Sequence, residues 1–426
     1  MAAKGYLTLN YEHCGGRISA DEFPRVTVVI PVKNRPREIR ECLYSLSLLD
    51  YPEEKLEIIV VNDGSTDDTG EAISLFNVRS INLLASKGQS RCRNIGAREA
   101  TGEIIAFLDS DCTVTPGWLK QIVPFFAFPG IGAVGGFVGS YYKASRLDRY
   151  EKAFSSLNMG NHILFEANPE SNFYVPSCNL FVRRDVFLKT GGFKEGMHVG
   201  EDVDFCWRMR NAGYYLLYVP AGAVAHKHRN TLPKMLKRRM EYGISEADLY
   251  LHHVEKKKQF PIPVYAGLSF IVFFLAIILR VPALLFLNLF ICGAEYCKKR
   301  GSLSGILSEI YRKPVDKLLL RSVVRGTVSF YYYASFYLIR YYLAAIVLLG
   351  LAFPPLLLFS VVIVFISSAV DYKVKKPALS YPVFLFYYIL DHLAYQFGVF
   401  QGCLKHKYFK CYIPNIKLAS FRGIFL

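Results

Sequence analysis

The chain has no CxxC pair, no GxxxxGKS/T phosphate loop, no internal repeat and no apolar signal core in its opening MAAKGYLTLN. Each absence excludes something. Ten cysteines without paired or framework spacing are neither a disulfide scaffold nor a cysteine zinc cluster. Several of them, Cys112, Cys178 and Cys206 among them, sit in apolar runs or beside acidic residues, so buried free thiols in a reducing compartment are expected. With no signal core, the soluble part is expected on the cytoplasmic side. Acids are also scarce: 35 Asp and Glu face 51 Lys and Arg, a net charge of +16. That excess asks for an anionic partner, whether nucleic acid, phosphate substrate or membrane surface.

Gly130–Gly135 reads GIGAVG and satisfies GxGxxG, but it lacks the required context. A dinucleotide fingerprint follows the first strand and opens a helix. Here the apolar run continues through Gly136–Gly139, so a glycine-rich strand is expected instead.

What is present divides along the chain. At 426 residues, 52% hydrophobic and 15% aromatic, the chain exceeds one ordinary domain. Residues 1–24 read as an N-terminal extension, 25–255 as a soluble α/β domain, 260–404 as a membrane-associated helical region and 405–426 as a tail. In the soluble part, strands are expected over 25–32, 56–62, 78–83 and 103–108. Helices are expected over 37–48, 67–76 and 89–100. This alternation gives βαβ units and a parallel sheet, whose ligands bind at the carboxyl ends of the strands.

Acidic residues stand at those ends. Asp63 follows the second strand in VVNDGS; it suits the hydroxyls or base N–H groups of a nucleotide, and equally a simple turn. Asp109 and Asp111 follow the fourth strand in FLDSD. In an extended segment that spacing puts both carboxylates on one side, where hard oxygens suit Mg²⁺ or Mn²⁺ on a diphosphate. Two solvated loop carboxylates would read the same. Lys87–Asn94, KGQSRCRN, combines cations and an early glycine at a helix start, either an anion site or a solvated basic face. Gly200-Glu201-Asp202 precedes a helix expected over 203–212. Asp202 there is an N-cap or a base, and a helix N-terminus is expected to lower its pKa. His226 in HKHR follows another apolar run and suits a metal shell. The HxH pair raises zinc, but no Cys or His partner stands at suitable spacing.

Taken in order, VVIPVKNR, VVNDGSTDDT, KGQSRCRNIGAR, FLDSD, VPSCNLFVRR, GGF and GED resemble an inverting family 2 glycosyltransferase with the Rossmann-like GT-A fold. SRLDRYEKAFSSLNMG, VGEDVDFCWRMRNAGY, VAHKHR, RRMEYGISEA and DHLAYQFGVFQGCLKHK are similar to the mycofactocin-biosynthesis branch of that family. The resemblance implies that Pro31, Val32, Asp63, Gly88 and Arg93 hold a uridine nucleotide and Asp109 its ribose or sugar. It implies that Asp111 and His226 ligate Mg²⁺ or Mn²⁺, that Asp202 is the catalytic base, and that Asn179 and Glu201 lie on the acceptor side. A UDP-sugar would be the donor, and a small-molecule, peptide-derived or lipid-linked hydroxyl the acceptor. The QxxRW motif of processive members is absent, so long-chain synthesis is not implied.

The second half reads as membrane-facing. From Lys227 to Arg239 there are six Lys or Arg and no acid, followed by Lys256–Lys258, a basic apron for an anionic leaflet. A nucleic-acid partner is not expected, since no recognition motif accompanies it. Residues 262–279 and 281–294 are apolar stretches split at Arg280-Val281-Pro282. Residues 341–370 are uncharged and broken at Pro354-Pro355. Each piece is short for a span, and basic residues flank them all, so two hairpins entering from the cytoplasmic face are expected. Residues 377–404, interrupted by Asp391-His392, are expected to form an interfacial helix. The expectation is a glycosyltransferase on the cell membrane, with a cytoplasmic catalytic domain, that glycosylates a mycofactocin-type, peptide-derived redox cofactor. A glycosyltransferase of lipid-linked or exopolysaccharide synthesis is the alternative, and a silent scaffold keeping the nucleotide fold the competitor from another class.

Overall fold

Runs rich in valine and isoleucine build the centre of the sheet. β1 (Val26–Val32) reads VTVVIPV and is buried at every position, the pattern of a strand covered on both faces. The computed structural model describes residues 23–256, 258–307 and 312–419; the expected extension 1–24 and the end of the tail therefore lie largely outside the described residues. α1 (Pro36–Leu46) buries Ile39, Cys42, Leu43 and Leu46 and leads to β2 (Leu56–Asn62). α2 (Thr69–Ser74), β3 (Arg79–Asn82), α3 (Gln89–Glu99) and β4 (Ile104–Leu108) complete the expected alternation. β1 pairs in parallel with both β2 and β4, and β2 with β3.

Beyond β4 the sheet departs from the all-parallel expectation. β5 (Cys112–Val114), α4 (Trp118–Ile122), β6 (Ile131–Gly135), β7 (Val138–Ser140), α5 (Arg146–Phe154) and β8 (Leu164–Glu166) follow. β9 (Asn179–Arg183) runs antiparallel between β4 and β6. After α6 (Arg184–Lys189) and α7 (Glu201–Asn211), β10 (Tyr215–Tyr218) pairs parallel to β6 and antiparallel to β8. The main sheet order is β3-β2-β1-β4-β9-β6-β10-β8. An apolar run reports burial, not strand direction, which is why β9 could not be oriented from sequence. The GxGxxG segment is a strand, as expected: β6 ends at Gly135, and the chain then crosses into a small sheet ordered β5-β11-β7, with β11 at Val224–His226.

One compact unit runs to Met235 and takes back Asp248–Lys256; the other comprises Leu236–Ala247 and the residues from 258 on. α8 (Leu232–His252) contributes residues to both. In the second unit β12 (Gln259–Pro263) pairs with β13 (Asn415–Ala419). Between them lie α9 (Val264–Ile278), α10 (Leu284–Leu307), α11 (Arg312–Ala352), α12 (Pro355–Lys375) and α13 (Tyr381–His406).

In the first expected hairpin α10 runs to Leu307, past the apolar stretch, while α9 stays short. α9 has 15 residues, about 22 Å of helix against a hydrocarbon core of about 30 Å. Arg280, at φ 56°, lies in the turn before α10. The second pair is longer than expected: α11 and α12 meet at Pro354-Pro355, but each continues well past the uncharged stretch. Asp316–Ala352, Pro355–Lys375 and Tyr381–His406 are long and apolar enough to cross a membrane. Since α13 has the length and apolarity of a span, the interfacial reading of 377–404 is not required. Asp391, which suggested it, is buried with Arg239 Nε at 2.8 Å and Arg340 Nη1 at 3.5 Å. A carboxylate neutralised inside the helical unit does not force its helix to the interface.

Gly398 on α13 shows how tightly that unit packs. A Cβ there would lie 2.1 Å from the Met240 carbonyl oxygen, whereas one at Gly293 would meet nothing within 4 Å. Overpacking of this kind costs about 1–3 kcal/mol. Gly398→Ala is expected to lower the melting temperature of the detergent-solubilised protein. Gly293→Ala, which gains up to about 1 kcal/mol of helix propensity, is expected to leave it unchanged or higher.

Candidate active site

The carboxyl ends of β1, β2 and β4 bring the acidic residues together, each through its own local device. Pro31 and Val32 end β1, both buried, and the Val32 carbonyl accepts from the Asp63 amide. Asp63 closes the turn after β2. Its carboxylate accepts from the Lys87 amide at 2.6 Å, the Ser86 hydroxyl at 2.7 Å and the Gly88 amide at 3.0 Å. Burial pushes this carboxyl up, but those three hydrogen bonds outweigh it and hold it below the usual range. Asp63 therefore fixes the 86–88 loop. Gly88 caps α3 at φ 88° with open space where a side chain would begin, so backbone conformation, not crowding, calls for glycine there.

Arg93 on α3 is buried to 1%. It donates to Asp109 Oδ1 at 2.5 Å and to Glu201 Oε1 at 2.8 Å, and it lies over the Phe193 ring. Gln89 adds a second donor to Glu201 at 2.8 Å. Burial disfavours the Arg93 charge, and the Asp109 and Glu201 carboxylates more than reverse that, raising its pKa. One guanidinium thus joins the end of β4 to the start of α7.

Asp109 and Asp111 do not share one side of an extended segment. The Cys112 amide donates to the Asp109 carbonyl, making a turn, and the two carboxylates take different partners. Asp111 is buried. Arg35 holds its Oδ2 in a short ion pair, with Arg229 Nη1 at 3.8 Å. Its Oδ1 has no hydrogen-bond partner and faces His226 Nε2 at 3.6 Å. Burial opposes ionisation of Asp111; His226, Arg35 and Arg229 overcome it and lower the pKa. A buried carboxylate oxygen without a donor, opposite an imidazole nitrogen, fits a hard divalent cation. The HxH pair splits, since His228 turns to Asp148 at 3.0 Å and Ser140 at 2.9 Å.

Asp202 lies in the first turn of α7, which Gly200 enters at φ 88°. Its carboxylate accepts from the Ser177 amide at 3.1 Å and the Val203 amide at 2.8 Å. Burial, then the Glu201 charge, raise it to about 7. The expected lowering by the helix N-terminus is overturned: both amides and Arg93 pull the pKa down, but desolvation and a like charge win. Asp109, Asp111 and Asp202 all act on one thiol. Cys178 exchanges a hydrogen bond with Cys112 that lowers its pKa, yet burial and these three charges raise it.

The residues expected on the acceptor side are both held by hydrogen bonds within the fold. Asn179 is fully buried; its Oδ1 accepts from Trp118 Nε1 and its Nδ2 donates to the Phe137 and Gly222 carbonyls. These bonds tie β9 to the neighbouring loops. Glu201 is buried on Arg93 and Gln89. Arg35 and Arg229 were missed as site residues, although both stand inside motifs, VKNR and HKHR, that mark the site.

Together the mixed sheet and this site define an α/β domain with an acidic ligand site at its strand ends. Residues 27–191 match the model of glycosyl transferase family 2. The chain is 37% identical over 237 residues to the pre-mycofactocin glycosyltransferase of Mycobacterium tuberculosis, covering 54% of this chain and 48% of that protein. To the glycosyltransferase AglE of Haloferax volcanii it is 29% identical over 257 residues, covering 58% of this chain and 82% of that one. The chain thus spans about half the length of the mycobacterial relative. Among solved structures, the mannosyltransferase PcManGT of Pyrobaculum calidifontis, in complex with GDP-Man and Mn²⁺, is 18% identical with a TM-score of 0.44. That match covers 75% of this chain and 93% of the mannosyltransferase.

The raised Asp202 pKa has a stability consequence with a definite sign. A carboxyl moved from 3.8 to about 7 resists ionisation only in the folded protein, so stability falls as pH rises through that window. Asp202→Asn removes the titration but also gives up one amide hydrogen bond. The melting temperature of the variant relative to wild type is therefore expected to rise between pH 4 and pH 8. A difference independent of pH would refute the shift.

Proposed function

We propose that this protein is a membrane-attached, metal-dependent, inverting glycosyltransferase that moves a sugar from a UDP-sugar to an acceptor hydroxyl. The observation that carries the reading is Asp202, half-buried, held by the two amides and with its carboxyl raised to about 7. A general base works best with a pKa near the working pH. It accepts the hydroxyl proton as the oxygen attacks the anomeric carbon from the face opposite the diphosphate, and configuration inverts.

The nucleotide is assigned to Pro31, Val32, Asp63, Gly88 and Arg93, with Asp109 toward the ribose. Asp63 shapes the loop that receives it, and Arg93 holds Asp109 in place. Asp111 and His226 would hold Mg²⁺ or Mn²⁺, which when bound neutralises charge on the departing diphosphate. Arg35 and Arg229 supply positive charge at the same carboxylate in this structure.

For the acceptor we favour a mycofactocin-type, peptide-derived redox cofactor, supported by the 37% identity to the pre-mycofactocin glycosyltransferase. The basic flanks of the helical unit and its long apolar helices support attachment to the cell membrane with the catalytic domain on the cytoplasmic side.

UDP release from a panel of UDP-sugars with Mg²⁺ or Mn²⁺ tests the reaction. Asp202→Asn is expected to keep donor binding and lose about 10²–10⁴-fold in transfer, and the wild-type kcat/KM to rise with pH through about 7. Asp111→Ala should lose metal-dependent UDP binding. Wild-type transfer in Asp202→Asn would remove the base assignment, and unchanged UDP affinity in Asp111→Ala the metal assignment. Cys297, exposed on α10 beside the basic run, tests the orientation. A membrane-impermeant maleimide should label it in lysed but not in intact cells.

A further inference from the structure

The pairing of β5 with β11 sets Cys112 directly opposite His226. Directly paired residues of an antiparallel ladder carry their side chains on the same face. The thiol therefore comes to the imidazole that faces Asp111, a neighbour that no spacing in the sequence reveals. Ligand atoms of Asp111, Cys112 and His226 all lie within 4.8 Å of one another. The second observation is independent of the thiol: Asp111 Oδ1 is buried in this cluster without a hydrogen-bond partner.

We propose that Cys112 is a third protein ligand at the Asp111–His226 position. The donor set is then one carboxylate oxygen, one imidazole nitrogen and one thiolate sulfur. Sulfur and imidazole donors favour Zn²⁺ and Co²⁺, whereas an all-oxygen set favours Mg²⁺ or Mn²⁺. On binding, the metal–sulfur bond replaces the S–H bond and the proton leaves to solvent. The inference rests on the metal reading given above and narrows it: the site takes a thiophilic divalent ion more tightly than Mg²⁺.

Packing alone would also explain a buried Cys112, since it shares a hydrogen bond with Cys178. Cobalt separates the two explanations. Metal-free, detergent-solubilised protein is titrated with Co²⁺ alone, and binding is followed by calorimetry and by the near-ultraviolet thiolate-to-cobalt charge-transfer band. Wild type is expected to bind Co²⁺ with the band, and Zn²⁺ to displace it. Cys112→Ser should lose the band and about tenfold or more in affinity, and Cys178→Ser should keep the band. Cys112→Ala serves as a second variant, with circular dichroism checking that each folds. Co²⁺ binding without the band, or a band that survives Cys112→Ser, overturns the sulfur ligand while leaving the Asp111–His226 metal reading intact. No Co²⁺ binding by wild type overturns both. UDP release measured with Mg²⁺ or Mn²⁺ reports separately on the transferase reading.

Discussion

The site depends on one buried guanidinium. Arg93 has almost no solvent contact, and its two terminal nitrogens are committed to Asp109 and Glu201. These carboxylates lie far apart in the sequence, one after β4 and the other opening α7. Removing Arg93 would take the guanidinium from both carboxylates and strand the buried charge of Glu201, a cost of about 3–5 kcal/mol. The arrangement therefore specifies where α7 begins relative to the sheet, and with it where Asp202 stands. Phe193 beneath the guanidinium and Gln89 on Glu201 complete the surroundings of the pair.

Charge balance follows from the same frame. Four carboxylates, Asp109, Asp111, Glu201 and Asp202, meet three guanidinia, Arg35, Arg93 and Arg229. With every group ionised, one negative charge is left over. Part of that surplus is relieved by holding Asp202 near pKa 7, because it sits beside Glu201 and is the carboxylate with only backbone amides as donors. Asp111 is handled oppositely: cations surround one oxygen and the other is left without a donor. Burial pushes both aspartates up, and they end on opposite sides of their ordinary pKa because one also faces a like charge whereas the other faces cations.

How much of this was legible in the sequence depends on the range of the interaction. The βαβ alternation through β4 was readable because apolar runs and turn residues are local, and Leu56–Asn62 came out with the bounds expected. Asp63, Asp109, Asp111 and Asp202 were findable for the same reason, each standing at an element end. Partners were not legible. The Arg35–Asp111 and Arg93–Glu201 ion pairs join residues far apart in the chain. Asn179 was placed on the acceptor side only by the resemblance, and folding buries it among Trp118 Nε1 and two carbonyls. The Asp202 shift was misjudged in sign because a helix N-terminus is visible locally while desolvation is not.

The helical unit shows the same limit with a different outcome. Asp391 inside α13 suggested an interfacial helix. In the fold the buried acids of the unit are satisfied in groups: Asp391 by Arg239 and Arg340, Asp371 by Tyr332 and Tyr388, and Glu246 by Lys258, Tyr341 and Tyr395. Hydrophobicity alone would let α11, α12 and α13 rotate or slide against one another, since lipid is as apolar as leucine. A buried ionic or phenolic pair has one favourable register, and each slip of a helix by a residue turns its polar groups away from their partners. Gly398 against the backbone of α8 adds a steric constraint on the same register. The tyrosines that make these helices so aromatic therefore do more than pack: their hydroxyls supply the donors that allow carboxylates to be buried among apolar helices.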